Sequence, residues 1–353
     1  MYWNSTLSIV FAIAVAYAIT TFVAIFIRPL ALRIGLIDRP NKRKLHKGRI
    51  PLTGGISMFC GFIFACTLLP VNLQDYRALF AGSGLLVFIG VLDDFKELSA
   101  RSRLVGQLLV AIFIVAWGGV FLTNLGDLLG NGDILLPLWV GWVVSILGIV
   151  SLINATNMMD GLDGLAGLLS LVASSALLLM AIWHQNLVMS CVLSILVIII
   201  LAFLQFNYRF TQRARVFMGD AGSLFLGLVL AWFAIKGSQG EQLIARPVTM
   251  LWFFAVPLCE LLTIVIHRLL HRRSPMLACR DHLHYLFVRY SEWPMWQVVL
   301  LFTFIATGLA MIGILGEIYR WPEPVMFFGF LGVYCVYAAY HFWLSKKSKK
   351  YES

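Results

Sequence analysis

The chain is poor in charged residues. Asp, Glu, Lys and Arg make up only 12% of its 353 residues, whereas hydrophobic residues make up 60%. A soluble domain of this length carries about twice that fraction of charge. The low charge excludes an ordinary soluble globular protein and predicts that most of the chain lies in lipid.

The sequence also lacks the features of two other classes of protein. Its six Cys form no C-x-x-C pair, so a thiolate metal centre is not indicated. There is no visible internal repeat, and Glu260 is the only acid well inside an apolar run. Secondary transporters usually combine related halves with ionisable groups near the bilayer midplane, so a transporter is kept only as an alternative.

Eleven apolar runs dominate what is present. They cover 6–27, 54–71, 78–92, 104–121, 134–153, 164–183, 187–206, 222–235, 248–266, 297–316 and 324–344. Several are near the roughly 20 residues that a spanning helix needs, which predicts an all-α polytopic membrane protein with about 11 transmembrane helices. The two short runs, 78–92 and 222–235, are predicted to extend into polar flanks or to break.

The basic residues predict the orientation. Alternate gaps between runs, together with the C-terminal tail, contain 23 of the 27 Lys and Arg. Because positive charge stays on the cytoplasmic side, we expect a periplasmic N-terminus, a cytoplasmic C-terminus and an odd number of spans. A single membrane-embedded domain, 1–353, would then carry cytoplasmic loops at about 28–53, 93–103, 154–163, 207–221 and 267–296.

Acidic motifs collect on the predicted cytoplasmic side. The segments are LDDFKEL (Leu92–Leu98), NATNMMDGLDGLAG (Asn154–Gly167) and VFMGDAGS (Val216–Ser223). A carboxylate costs about 2.5–3.5 kcal/mol at the bilayer centre, so acids gather at helix ends in any case. That cost does not explain why the acids predicted on the periplasmic side are isolated from Gly-rich and His-bearing motifs.

The longest of these motifs predicts a broken helix. Between Asn154 and Asp163 an unbroken α-helix would turn by roughly 900°, so its two ends could not serve one site. We expect a helix that ends near Asn154–Asn157, a Gly-permitted loop, and a second helix that starts near Asp163. The motif is typical either of a metal–phosphate site or of a plain turn between helices.

A fourth motif, CRDHLHYL (Cys279–Leu286), adds histidine. His282 and His284 would diverge by about 200° on a helix, so a joint role requires a loop or extended backbone. Arg280 suits a phosphate oxygen. Since carboxylates dominate these motifs, hard oxygen ligands favour Mg²⁺ or Mn²⁺ over Zn²⁺.

Taken together, these motifs carry a family resemblance. The order KRKLHKGRIPLTGG (Lys42–Gly55), LDD, NATNMMDGLDGL, VFMGDAGS and RDHLHY resembles the polyprenyl-phosphate N-acetylhexosamine-1-phosphate transferases, glycosyltransferase family 4. The resemblance implies that a UDP-sugar donates its sugar-1-phosphate to undecaprenyl phosphate and releases UMP. The reaction would occur at the cytoplasmic face of a bacterial inner membrane, as the first membrane step of O-antigen or enterobacterial common antigen synthesis. The segments are most similar to the branch that uses UDP-N-acetylglucosamine.

The resemblance also implies roles for individual residues. Asp220 would bind Mg²⁺, or Mn²⁺, and Asp93 and Asp94 would position or deprotonate the lipid phosphate. The remaining residues would bind the donor: Asn157, Asp160 and Asp163 in the nucleotide and metal pocket, Lys47 and Thr53 near the nucleotide, and Arg280, His282 and His284 at the diphosphate or sugar.

Three positions depart from the family pattern. Tyr285 stands where the family usually has another His, Cys279 where it has an acid, and Glu260 where it usually has Asp. All three flank the expected substrate pocket and not the Asp220 loop. Another UDP-N-acetylhexosamine donor is therefore the nearest alternative, and a non-catalytic scaffold is a more distant one.

Overall fold

Most of the residues that the computed structural model describes lie in helices; the described residues are 2–38, 49–209, 213–241, 243–272, 274 and 281–352. The helices are α1 Tyr2–Ile34, α2 Gly54–Thr67, α3 Arg77–Lys96, α4 Ala100–Gly118, α5 Leu138–Met159, α6 Leu165–Trp183, α7 Leu187–Asn207, α8 Gly219–Lys236, α9 Pro247–Phe253, α10 Ala255–Leu270, α11 Leu283–Ser291, α12 Met295–Ile318 and α13 Glu323–Glu352. Two short antiparallel strands, β1 Ile37–Asp38 and β2 Ile50–Pro51, pair Ile37 with Pro51 and Asp38 with Ile50.

Nine of the described helices are long and apolar enough to cross a bilayer. The pair α9 and α10, bent by 85° at one break, would make a tenth span, whereas α2 has only 14 residues. The chain is therefore an all-α polytopic membrane protein, as its composition predicted. The count of eleven spans and the side on which each terminus lies remain predictions.

Both short apolar runs form unbroken helices that extend into polar flanks. The run 78–92 becomes α3, which reaches Lys96, and the run 222–235 becomes α8, which starts at Gly219. Neighbouring elements bind the acidic side chains at these ends. This extension confirms one of the two predicted outcomes and places Asp93, Asp94 and Asp220 on helices.

Helices occupy parts of the segments predicted as cytoplasmic loops, whose position relative to the membrane remains a prediction. Helix α5 runs through Met159, so the expected end near Asn154–Asn157 is wrong and the turn covers 160–164. Within 93–103, residues 97–99 separate α3 from α4. The other three also lose residues to helices: 28–53 to the end of α1, 207–221 to the ends of α7 and α8, and 267–296 to parts of α10, α11 and α12.

Helix α8 lies at the centre of the bundle. It packs against α2, α3 and α5, and 83% of its residues are buried. Glycines make this packing close enough for backbones to touch: a Cβ added to Gly90 on α3 would lie 2.3 Å from the Ala221 Cα, and one added to Gly55 on α2 would lie 2.2 Å from the Gly222 nitrogen. The contacts surround the first turn of α8, which bears Asp220.

Candidate active site

Asp94 fixes the start of α8. Its carboxylate accepts hydrogen bonds from the backbone N–H groups of Asp220, at 2.9 Å, and Ala221, at 3.4 Å. The first N–H groups of a helix have no partner within the helix and attract negative charge. Gly219 makes the approach possible, since it has φ +71° and a Cβ there would lie 2.6 Å from the Asp94 carboxylate.

Asp93 contacts a basic residue of the next helix. One carboxylate oxygen accepts from the Leu98 N–H at 2.7 Å, and the other lies 3.2 Å from Nη1 of Arg103. The same Arg103 nitrogen is 3.9 Å from Oδ1 of Asp220. The Arg103 side chain is 30% exposed and therefore lies between two carboxylates while it remains open to solvent.

Asn157 connects α5 to the same centre. Its Nδ2 donates to Oδ1 of Asp220 at 2.5 Å and to Oγ of Ser223 at 2.8 Å. Asn154, one turn earlier, instead exchanges hydrogen bonds with Gln107 on α4, at 2.6 Å from its own Nδ2. The two asparagines therefore have different partners, and only Asn157 contacts Asp220.

Asp160 and Asp163 lie in the turn that follows α5. Asp160 is half-buried, and burial is the main cause that raises its pKa well above the usual range. The nearby carboxylates of Asp220, Asp94 and Asp163 raise the pKa of Asp160 further. Several acids therefore share one region of concentrated negative charge at this end of the bundle.

Asn207 joins this turn to the segment before α8. Its Oδ1 accepts from the Gly164 N–H at 2.7 Å, and its Nδ2 donates to the Val216 carbonyl at 3.0 Å. Because the residue is buried, both bonds are protected from water. Neither Asn207 nor Arg103 was predicted from the sequence, because only the fold brings these side chains to their partners.

The donor set suits a hard cation. In the described part of the chain, no three His, Cys, Asp or Glu side chains converge as a ready-made metal cage. Mg²⁺ does not require such a cage, because it usually binds through one or two carboxylates, waters and substrate phosphates. The clustered carboxylates around Asp220, offset only in part by Arg103, fit a divalent cation on these grounds.

Residues 282–286, here called the histidine segment, contact the turn 160–164, here called the Asp160 turn. His282 has extended backbone, φ −66° and ψ 142°, and its ring stacks on that of His284 with centroids 5.4 Å apart. Extended backbone at this point is what the spacing of the two histidines predicted. The Tyr285 hydroxyl donates to the Gly161 carbonyl at 3.0 Å, so the segment contacts the turn directly.

His284 is fully buried. Burial, aided by His282 and opposed by Glu260, lowers the pKa of His284 to about 3. The ring is therefore neutral near pH 7. Neither of its nitrogens has a hydrogen-bond partner among the described residues.

Thr53 lies beside the segment that leads into α8. The next two residues, Gly54 and Gly55, donate their N–H groups to the carbonyls of Phe217 and Met218, each at 3.0 Å. The Thr53 side chain is completely buried, and within the described structure its hydroxyl has no hydrogen-bond partner. Lys47 and Arg280, the other two residues predicted to bind the donor, lie outside the described residues, as does Cys279.

Known proteins similar to this chain show which family it belongs to. The model of glycosyl transferase family 4 matches residues 76–238, which include Asp93, Asp94, Asp160 and Asp220. A Pasteurella multocida protein named undecaprenyl-phosphate alpha-N-acetylglucosaminyl 1-phosphate transferase is 40% identical over 89% of this chain and 88% of its own length. Proteins of the same name from Yersinia pestis and Haemophilus influenzae are each 38% identical, over 88% and 90% of this chain and 85% and 90% of their own lengths.

The chain belongs to glycosyl transferase family 4. The resemblance inferred from the motifs is thereby confirmed. The family match ends at residue 238, just after the end of α8, so the histidine segment lies beyond it. The full-length relatives extend the similarity over that part of the chain as well.

Proposed function

We propose that this family 4 enzyme transfers N-acetylglucosamine-1-phosphate from UDP-N-acetylglucosamine to undecaprenyl phosphate and releases UMP. The observation that supports it best is the convergence of Asp93, Asp94, Asn157 and Arg103 on Asp220, in a chain similar to transferases of that name. An oxygen of the lipid phosphate attacks the phosphorus bonded to the sugar. The bond from that phosphorus to the bridging oxygen breaks, and UMP leaves with its electron pair.

The main requirement of this reaction is that two negatively charged substrates are held together. A phosphate monoester has a second pKa near 6, so the acceptor is mostly dianionic at neutral pH and needs little help from a base. Catalysis then depends on holding two anions together and in line. We assign this positioning to Asp93 and Asp94, which already anchor Arg103 and the first turn of α8.

Asp220, with Asp94 and Asp160 nearby, would hold Mg²⁺ or Mn²⁺. The cation would neutralise charge on the sugar diphosphate. Asn157 orients the Asp220 carboxylate through its 2.5 Å hydrogen bond. Asp160, Asp163 and Thr53 would bind the nucleotide, while His282 and His284 would contact the diphosphate or sugar.

We also propose that the site lies on the cytoplasmic side of the membrane. The carboxylate centre lies at the end of the bundle where most of the Lys and Arg occur in the sequence. By the distribution of positive charge this end is cytoplasmic, with the N-terminus in the periplasm and the C-terminus in the cytoplasm of a bacterial inner membrane. UDP-sugars are made in the cytoplasm, so the orientation places the site on the side of its donor.

A transfer assay tests the proposed function. Membranes that contain the protein receive undecaprenyl phosphate, Mg²⁺ and either UDP-N-acetylglucosamine or UDP-N-acetylgalactosamine. We expect UMP and a lipid-linked sugar diphosphate in equal amounts, with UDP-N-acetylglucosamine preferred. Preference for UDP-N-acetylgalactosamine would establish the alternative donor, and no UMP from any UDP-N-acetylhexosamine would overturn the proposal.

Asp160→Asn is expected to lower the transfer rate about tenfold or more. The substitution keeps the shape of the side chain but replaces a carboxylate of the cluster around Asp220 with an amide. If that carboxylate contacts the cation or the nucleotide, losing a bond to a charged group typically costs that much. The control is Asp127→Asn, which alters a carboxylate in the segment between α4 and α5, where Asp127 accepts from the Gly132 N–H. Equal losses in the two variants would remove the reason to place Asp160 in the site.

Thr53→Val distinguishes a substrate contact from a structural one. Valine has nearly the same shape and removes a buried hydroxyl that the described residues leave unpaired, so the unfolding temperature should stay the same or rise. If the hydroxyl binds the donor, the KM for UDP-N-acetylglucosamine should rise by about fivefold or more. A lower unfolding temperature with an unchanged KM would show that Thr53 only supports the fold.

A further inference from the structure

Tyr285 connects two parts of the candidate site that come from distant positions in the sequence. Its hydroxyl donates a hydrogen bond to the Gly161 carbonyl at 3.0 Å, across 124 positions of the chain. Gly161 lies in the Asp160 turn, two residues beyond the end of α5, and a backbone carbonyl in a turn requires a partner. The Tyr285 side chain is half-buried, so this bond is partly protected from water. It joins the histidine segment to the Asp160 turn.

The contact leaves no room for a side chain at position 161. A Cβ built on Gly161 would lie 2.7 Å from Cζ of Tyr285 and 3.0 Å from Nε2 of His284. The rings of Tyr285 and His284 pack against each other, with centroids 4.5 Å apart. Tyr285 therefore holds both its own hydroxyl and the His284 ring against the backbone of the turn.

The histidine segment is also fixed to α10. The backbone N–H of Leu283 donates to both carboxylate oxygens of Glu260, at 3.1 and 3.3 Å, and Glu260 is fully buried. The Tyr337 hydroxyl, on α13, donates to the same carboxylate. A carboxylate away from water is costly to leave without such donors, so these bonds resist disruption. Because the segment is held in this way, the Tyr285 hydroxyl fixes the Asp160 turn relative to α10.

Tyrosine suits this contact better than the histidine that the family usually has at position 285. Its hydroxyl stands farther from the backbone than an imidazole nitrogen does, and it can donate to a carbonyl. An imidazole can carry positive charge near neutral pH, whereas a phenol cannot. The residue in this chain is therefore adapted to bind a protein carbonyl and not a phosphate.

We propose that Tyr285 is a positioning residue for the donor substrate: its hydroxyl ties the Asp160 turn to the histidine segment and fixes the distance between the two ends of the donor site. This inference rests on the proposed function, in which the turn binds the nucleotide and the histidines contact the diphosphate or sugar. Without the hydrogen bond, the turn and the segment would adopt other separations. A ligand that contacts both would bind more weakly, because only a fraction of the molecules would have the right separation. A ligand that contacts the turn alone would lose little.

Binding of two ligands to Tyr285→Phe tests the proposal. Purified protein, with Mg²⁺ and without acceptor lipid, is titrated with UDP-N-acetylglucosamine and, separately, with UMP, which lacks the second phosphate and the sugar. We expect UDP-N-acetylglucosamine to bind about three- to tenfold more weakly, which is the typical effect of losing one neutral hydrogen bond. The affinity for UMP should be unchanged. Equal losses for the two ligands, or an unchanged affinity for UDP-N-acetylglucosamine, would overturn the proposal.

Tyr17→Phe is the matched control. The Tyr17 hydroxyl also donates to an amide oxygen, Oε1 of Gln205 at 3.2 Å, but that bond joins α1 to α7. Its removal should leave the affinity for both ligands unchanged. In the transfer reaction, Tyr285→Phe should raise the KM for UDP-N-acetylglucosamine and leave kcat and the KM for undecaprenyl phosphate as in the wild type. A lower kcat with an unchanged donor KM would contradict the positioning role.

Hydrogen exchange of the ligand-free protein separates this inference from the proposed function. Mass spectrometry of the protein in lipid nanodiscs reports how fast the backbone amides of residues 160–164 exchange with solvent. We expect exchange about three- to tenfold faster there in Tyr285→Phe, because the turn opens more readily without the hydrogen bond. The same exchange rate in both proteins would overturn the positioning role even in an active enzyme. Failure of the transfer assay alone would leave the exchange result intact.

Discussion

Asp220→Asn is expected to abolish transfer, with a loss of at least about a hundredfold, while the protein still inserts into the membrane. Asparagine keeps the shape of the side chain and can still accept from Nδ2 of Asn157. It cannot replace the charge that a divalent cation needs, and electrostatic stabilisation of that kind is typically worth several kcal/mol, or two to three decades in rate. The measurement is the initial rate of UMP release over a range of Mg²⁺ concentrations, with unfolding temperature recorded in parallel.

Asp133→Asn is the matched control for Asp220. Asp133 also accepts a hydrogen bond from an asparagine amide, Nδ2 of Asn124 at 2.7 Å, but it lies in the segment between α4 and α5. Its substitution should leave the rate within about twofold of the wild type. Near wild-type turnover by Asp220→Asn at ordinary Mg²⁺ concentrations would show that the metal assignment is wrong.

Gly90→Ala is expected to lower the rate about a hundredfold and to reduce the unfolding temperature. The added methyl group would lie 2.4 Å from the Ala221 nitrogen and 2.7 Å from the Asp220 carbonyl carbon. Because these are backbone atoms of α8, the two helices must separate. Overpacking of this kind costs about 1–3 kcal/mol of stability. A shift of about 1 Å at a reacting centre can reduce the rate by two decades.

Gly84→Ala, on the same helix, is the control for Gly90. A Cβ at Gly84 would lie 3.4 Å from the tip of the Phe59 ring, which is ordinary contact with a side chain. Alanine is also the better helix former by about 1 kcal/mol, so this variant should be as stable as the wild type or more so. If both variants had the same rate and stability, close packing of α3 against α8 would not be what holds Asp220 in place.

The sequence predicted the parts of this site better than their connections. Apolar runs and polar flanks were enough to predict α3 and α8 and to put Asp93, Asp94 and Asp220 at their ends. The hydrogen bond from the Asp220 N–H to Asp94 joins residues 126 positions apart, and no local pattern carries that information. Arg103 was missed for the same reason, because only the fold brings it between two carboxylates.

The extent of α5 was wrong for a different reason. Asn and Gly suggested an early helix end, since their intrinsic preferences favour turns. In the folded chain Gln107 and Asp220 satisfy the amides of Asn154 and Asn157, and the helix continues to Met159. Tertiary contacts of this kind outweigh local propensity. The surroundings of Glu260 were equally hidden, because its hydrogen-bond partners come from His282, from Leu283 at the start of α11, and from Tyr337 on α13.

The central position of α8 has a consequence for how the protein is made. The helices that enclose it most closely, α2, α3, α5 and α6, all precede it in the chain, so they have been synthesised before α8 leaves the ribosome. A helix with 83% of its residues buried makes little contact with lipid and is retained by its protein neighbours. During translation, α8 would therefore insert into a cleft between helices that have already been synthesised. Gly55 and Gly90 line that cleft, and a methyl group at either would obstruct assembly before it obstructed catalysis.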